Sequence, residues 1–150
     1  MVVPLLCRQG VTDNVTLLDD YLAEVAISEG GEAAPQKKEE ILRMVTFLFQ
    51  STQADNCADV LDHSRIVECV GRQSRRRIWL VQSSSHKGGA SPYVCLGGHY
   101  CSCRNFQEVS KKATSLVLCK HLLAIRLAQA FGKLCVNEVD DGQLYAYMRI

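Results

Sequence analysis

The chain has 150 residues, 47% of them hydrophobic and 22% charged, with a formal net charge of +1. That balance is ordinary for a soluble domain that buries about 68–70% of its unfolded surface, and it excludes a long-range field drawing the whole molecule to nucleic acid. No apolar run approaches the ~18–20 residues of a membrane-spanning helix, so no membrane contact is expected.

The opening Val2-Val3-Pro4-Leu5-Leu6-Cys7 is too short for the apolar region of a signal peptide and lacks a basic flank. An intracellular, reducing compartment is the expectation. Residues before Thr12 carry no readable pattern. Asp13 or Asn14 is placed to cap a helix whose apolar positions Leu17, Leu18, Tyr21, Leu22 and Val25 follow a helical period. Gly30-Gly31 ends it, residues 32–35 read as a linker, and Pro35 is suited to open the next helix. Residues 36–49 predict a stronger amphipathic helix, with Ile41, Leu42, Val45, Leu48 and Phe49 on one side and Lys37, Lys38, Glu39, Glu40 and Arg43 on the other. Such a stripe is usually core, and a partner's groove is the alternative destination.

Residues 55–61 predict a short helix or turn, with His63 beyond it at the surface or as a cap. Two β-rich runs follow, Ile66–Val70 and Ile78–Val81, joined as a hairpin by Gly71–Arg77. A loop over 83–92, flexible by composition, leads to a third strand, Tyr93–Leu96, and Gly97-Gly98 turns the chain back. A short helix is expected over Asn105–Lys112, a break at Thr114-Ser115, and a last amphipathic segment carrying Leu144, Tyr145, Tyr147 and Met148. No phosphate-cradling Gly-x-x-x-x-Gly-Lys-Ser/Thr motif is present.

The densest chemical signal is Cys101-Ser-Cys103, fifteen intervening residues, then Cys119-Lys-His121. Three thiolates and an imidazole are the ligand set of a closed structural zinc site, so one structural Zn2+ is the expected cofactor. Residues i and i+2 of a regular helix point to different sides, so Cys119 must lie at or just before the first turn of the helix that follows. That helix carries Leu122, Leu123, Ile125, Leu127, Ala128 and Phe131, with Arg126, Gln129 and Lys133 as its polar stripe and Gly132 as its stop. The helix dipole and Lys120 favour the Cys119 thiolate, and Arg104 and Lys120 are placed to offset the site's net negative charge. Eight cysteines also admit a disulfide framework, and Cys119–His121 admits a nucleophile–base pair. Neither a secreted cysteine pattern nor a pocket with an orienting group supports them.

The pattern C-x-C…C-x-H, extended by His121-Leu-Leu-Ala124, resembles the SWIM zinc finger, and specifically the SWIM-type subunit of the Shu recombination-mediator complex, the Sws family. His99-Tyr-Cys-Ser-Cys103, Tyr93-Val-Cys-Leu96 and Phe47-Leu-Phe49 carry the resemblance upstream, over about Met44 to Phe131. It implies zinc on Cys101, Cys103, Cys119 and His121, with Ala124 keeping one helix face thin for close packing. It implies a non-enzymatic protein that pairs with a RecA-like recombinase paralogue, in a heterodimer or larger complex. Such a pair helps the recombinase assemble on single-stranded DNA during homologous recombination, DNA repair and meiosis, in the nucleus, with the cytoplasm as a second compartment. No small-molecule substrate is implied.

The expected fold is α+β. N-terminal helices (1–62) pack on a small antiparallel sheet within 63–134, which includes the zinc module (93–131), and 135–150 form a tail or short helix. Arg72, Arg75, Arg76 and Arg77 are the densest basic cluster, either a solvated hairpin tip or a phosphate contact for single-stranded DNA that Lys111, Lys112 and Lys120 extend. Trp79 is core or a base-stacking platform. His99 reads as a turn or outer residue of the zinc site and Cys95 as a buried strand residue, while Cys7, Cys57, Cys69 and Cys135 follow no pairing logic. Partner docking is expected on the helix Lys37–Phe49 or around Leu122–Phe131. A stand-alone nucleic-acid-binding module and a ubiquitin-ligase or substrate adaptor are the competing functions.

Overall fold

A computed structural model describes residues 14–29, 35–49, 51–83, 91–112 and 118–149. The expectations for the N-terminal segment, the Gly30-Gly31 linker, most of the 83–92 loop and the Thr114-Ser115 break lie outside these residues. Three helices come first: α1 (Asn14–Glu29), α2 (Pro35–Leu48) and α3 (Ser51–His63). The hairpin β1 (Ser64–Gly71) and β2 (Arg77–Ser83) follows, then β3 (Tyr93–Leu96) and the two-residue β4 (Tyr100–Cys101). The chain closes with α4 (Arg104–Ser110), α5 (Lys120–Ala130), β5 (Cys135–Val139) and α6 (Asp141–Met148). The fold class is α+β.

The strands form one sheet in the order β4-β3-β2-β1-β5. The first four are antiparallel neighbours, and β5 returns parallel to β1. The expected antiparallel sheet is thus extended into a mixed one. Cys135-Val-Asn-Glu-Val lies exposed at the edge, so it carries no run of apolar residues to betray it as a strand.

Side chains alternate across the strands, and the two faces divide accordingly. Ile66, Val81, Cys95 and Cys101, with Trp79 and Tyr93 at their margin, meet the helices in the main core. Cys69, Ile78, Leu80 and Val94 form a smaller cluster on the other face, closed by Leu144 of α6. On the helical side, α1 contributes Leu18, Leu22 and Val25, α2 contributes Ile41 and Val45, and α3 contributes Cys57 and Val60. α5 runs through the middle: Leu122, Leu123, Ala124, Leu127 and Ala128 are all fully buried. A helix apolar on nearly every side belongs inside a core.

Two sequence expectations shift here. Leu42 is not on the buried stripe of α2 but at its rim, while Phe49 packs on the core and Phe47 stands 84% exposed. The surface expected around Leu122–Phe131 is core, so only Arg126, Gln129 and Ala130 of that stretch reach outward.

Candidate metal centre

The four metal-ligand candidates arrive on three elements. Cys101 ends β4, Cys103 is the N-cap of α4, Cys119 is the N-cap of α5, and His121 sits in the first turn of α5. Gly97 and Gly98, at φ 56° and 73°, make the tight turn between β3 and β4 that delivers Cys101; side chains rarely adopt that conformation. All four candidates are buried, and one ligand atom from each lies within 4.8 Å of the others. The Cys101 Sγ is 3.7 Å from His121 Nδ1. A tetrahedral ion with metal–sulfur bonds of about 2.3 Å spaces its sulfurs about 3.8 Å apart, so a small closing movement completes the geometry.

Both caps do more than end a helix. The Cys103 Sγ accepts from the Phe106 N–H at 3.3 Å, and the Cys119 Sγ accepts from the Leu122 N–H at 3.5 Å. Two helix N-termini thus direct amides and partial positive charge at the sulfurs. The His121 ring lies against Tyr93, centroids 4.3 Å apart and planes tilted by 31°, which fixes the imidazole from the β3 side.

The electrostatics call for a cation. Hydrogen bonds from Cys101 and Cys119 pull the Cys103 thiol far below its usual range. Cys101, bonded to Cys103, and Cys119, bonded to Cys101 and Cys103 and buried as well, are pushed up. Three crowded sulfurs share one charge through hydrogen bonds, and a divalent ion takes the place of the shared protons. The residues present fit a thiophilic metal: three sulfurs, one nitrogen, and no water-facing position among them.

The expected offset from Arg104 is not made. Its guanidinium is 91% exposed and pairs with Glu108 at 2.9 Å, leaving the backbone amides of α4 and α5 to balance the sulfurs. Ala124 is fully buried on α5, and exposed His99 lies outside the cluster, its backbone N–H bonded to the Leu96 carbonyl. Among the described residues the seven cysteines are free thiols. Burial, with a smaller contribution from the nearby Cys119 sulfur, pushes the Cys57 thiol up to about 12.

The arginine cluster sits apart, on the β1–β2 hairpin. Arg72 pairs with Glu138 and Asp140, Arg75 with Glu138, and Arg77 with the buried Glu68. Among the described residues the Arg76 side chain has no ion-pair partner. Trp79 packs against the main core with its buried indole N–H unpartnered. Sequence reasoning placed Arg126 on a polar stripe and missed its role. The guanidinium binds both carboxylate oxygens of Asp19 on α1, at 2.7 and 3.4 Å, and the Gly98 carbonyl at 3.3 Å. It locks the turn before Cys101 to α1 and α5. Nothing in the period of α5 distinguishes such an arginine from a solvated one.

Comparison with known proteins settles the kinship. Human zinc finger SWIM domain-containing protein 7 is 33% identical over 129 residues, covering 85% of this chain and 86% of that protein. The chain belongs to the zinc finger SWIM domain-containing protein 7 family. The mouse protein of that name is 35% identical over 130 residues, 85% of this chain and 80% of its own length. The Dictyostelium discoideum homolog is 30% identical over 106 residues, 70% of this chain and 65% of its own length. No family profile and no solved structure matches. The shared region includes most of the helical half, so the kinship extends well beyond a zinc-finger pattern.

Proposed function

We propose that this protein is a non-enzymatic subunit of a Shu-type recombination mediator in the nucleus. It carries one structural zinc ion and pairs with a RecA-like recombinase paralogue, and the pair promotes recombinase assembly on single-stranded DNA in homologous recombination and repair. The buried Cys101–Cys103–Cys119–His121 cluster, in a chain of the SWIM-domain 7 family, carries this reading. When bound, zinc supplies a cross-link among four donors. The chain's own residues then do the rest: α5 stays seated in the core, α4 stays capped, and Arg126 holds the Gly97-Gly98 turn against α1.

Of the two docking surfaces expected from the sequence, the helix Lys37–Phe49 has the stronger support, because most of Leu122–Phe131 is buried. Phe47 projects from α2, with the half-exposed Leu42 on the same helix. A large exposed aromatic is a common anchor of protein interfaces. The hairpin arginines support DNA contact within the complex more than by the isolated chain, because Arg72, Arg75 and Arg77 already have acidic partners. The test is purification of tagged protein from cells in three forms: parent, Cys119→Ser and Phe47→Ala. The reading predicts a RecA-like paralogue with the parent and its loss with Cys119→Ser. It also predicts loss with a Phe47→Ala protein that retains its metal. Recovery of ligase components or nucleic acid without a paralogue contradicts it.

A further inference from the structure

Cys101 and Cys103 are separated by one residue, and both belong to a cluster whose ligand atoms lie within 4.8 Å of one another. In a continuing strand, residues i and i+2 share a face but stand about 6.7 Å apart along the backbone. Two sulfurs on one tetrahedral ion are only about 3.8 Å apart. The pair closes on one ion most readily if the chain leaves the sheet between them. The strand does end at Cys101, and the residue at the exit is Ser102.

Every polar group of Ser102 is engaged. Cys95 stands opposite Cys101 in the β3–β4 ladder, which sets Ser102 opposite Val94. A regular antiparallel pair at such a position exchanges two bonds, each N–H donating to the other residue's carbonyl. One is kept: the Ser102 N–H donates to the Val94 carbonyl at 2.9 Å. The Val94 N–H, however, donates to the Ser102 Oγ at 2.9 Å, and the Ser102 carbonyl accepts from Nε2 of Gln107 on α4 at 3.2 Å. The hydroxyl thus stands in for the carbonyl of its own residue. With that carbonyl turned from the ladder to α4, the chain leaves the sheet, and Cys103 opens α4 as its N-cap, its Sγ accepting from the Phe106 N–H. Val94 is buried, so its N–H needs an acceptor wherever the strand ends. A hydroxyl one carbon from the backbone, as in serine or threonine, makes local bonds of this kind.

We propose that Ser102 is a positioning residue of the metal centre, whose hydroxyl turns the Ser102–Cys103 peptide out of the sheet and so sets the two neighbouring sulfurs on one ion. This rests on the reading of the four-residue cluster as a metal site. Groups that orient a ligand from outside the coordination sphere typically change metal affinity by about 10- to 100-fold. The test uses the full chain as parent, Ser102→Thr, which keeps the hydroxyl, and Ser102→Val, which has the shape of the threonine variant without it. Chelator competition measures zinc affinity, the ligand-field bands of the cobalt-loaded protein report coordination geometry, and hydrogen exchange at the Val94 amide reports the hydroxyl bond itself.

Ser102→Val is expected to weaken zinc binding about 10- to 100-fold, to shift the cobalt bands and to speed exchange at Val94, whereas Ser102→Thr stays within about threefold of the parent with its bands unmoved. A Ser102→Val protein with parental affinity and unmoved bands overturns the proposal. So does a Ser102→Thr protein as impaired as Ser102→Val, since bulk at this position would then explain both. If Ser102→Val does not fold, Ser102→Thr decides: unmoved bands with a protected Val94 amide support the proposal, and shifted bands or a rapidly exchanging amide overturn it. A parent that binds neither zinc nor cobalt overturns the metal site itself, a result distinguishable from failure of Ser102 alone.

Discussion

At the β4 edge of the sheet, four buried donors from three elements converge within 4.8 Å and two helices aim their first amides at them. At the β5 edge, the elements are tied by Arg72 and Arg75 to Glu138 and Asp140, all more than half exposed, over the small apolar cluster sealed by Leu144. The first arrangement is worth little until a cation arrives and a great deal afterwards. The second is always present and always modest, because exposed ion pairs contribute roughly 0–1 kcal/mol each. Stability and control are therefore concentrated at one edge.

The largest expected effect breaks that edge. Structural zinc contributes about 10–16 kcal/mol in isolated zinc-finger peptides, as much as the whole stability of a small domain. Cys119→Ser, or chelation of the parent, should abolish cooperative thermal unfolding as followed by near-ultraviolet circular dichroism. Next comes the core at the other edge. Leu144→Ala should cost about 2–5 kcal/mol in denaturant titration without altering metal content. Arg126→Ala, which strands Asp19 and frees the Gly98 carbonyl, should cost about 1–3 kcal/mol and lower zinc affinity as the turn before Cys101 loosens. Arg126→Lys should restore little, since an ammonium cannot replace the two-pronged contact.

Smaller effects sharpen the contrast. Burial raises the Cys57 thiol to about 12, so the fold accepts only its neutral form. Its contribution is complete below the unfolded value of about 8.5 and declines as pH rises towards the folded value. Denaturant midpoints should therefore fall between pH 8.5 and 12, and fall less in Cys57→Ala. Smallest of all, replacing Arg72, Arg75 and Arg76 together, whose only ion pairs are exposed, should change stability by about 1 kcal/mol; Arg77 is left in place because it pairs with the buried Glu68. The triple replacement should reduce the salt slope of any single-strand binding by about 0.7, one charge's worth, rather than three times that, because Arg72 and Arg75 are already neutralised. A loss of three charges' worth would show that DNA displaces Glu138 and Asp140.

What the sequence disclosed follows the same division. The metal edge was legible because ligand chemistry is local: a Cys-x-Cys and a Cys-x-His before an apolar period place Cys119 at a helix start, and it is the N-cap. The helices and three strands were legible by period for the same reason. β5 was not, because an edge strand with exposed residues on both faces has no apolar alternation. The acidic partners of the arginines, more than sixty residues away in the chain, and the Arg126–Asp19 lock, at a separation of 107, are products of topology. Charge patterning along one segment cannot announce them. Exposure of Phe47 beside packed Phe49 depends on where α2 ends against its neighbours, which a helical wheel does not fix.

Hydrogen exchange of the full chain with and without bound zinc, with the metal counted per chain, tests the central claim most directly. The account predicts one zinc, strong protection of the Phe106 and Leu122 amides that face Cys103 and Cys119, and loss of that protection when the metal is chelated. A chain that takes up no zinc, or one whose Phe106 and Leu122 amides stay equally protected after chelation, would contradict it.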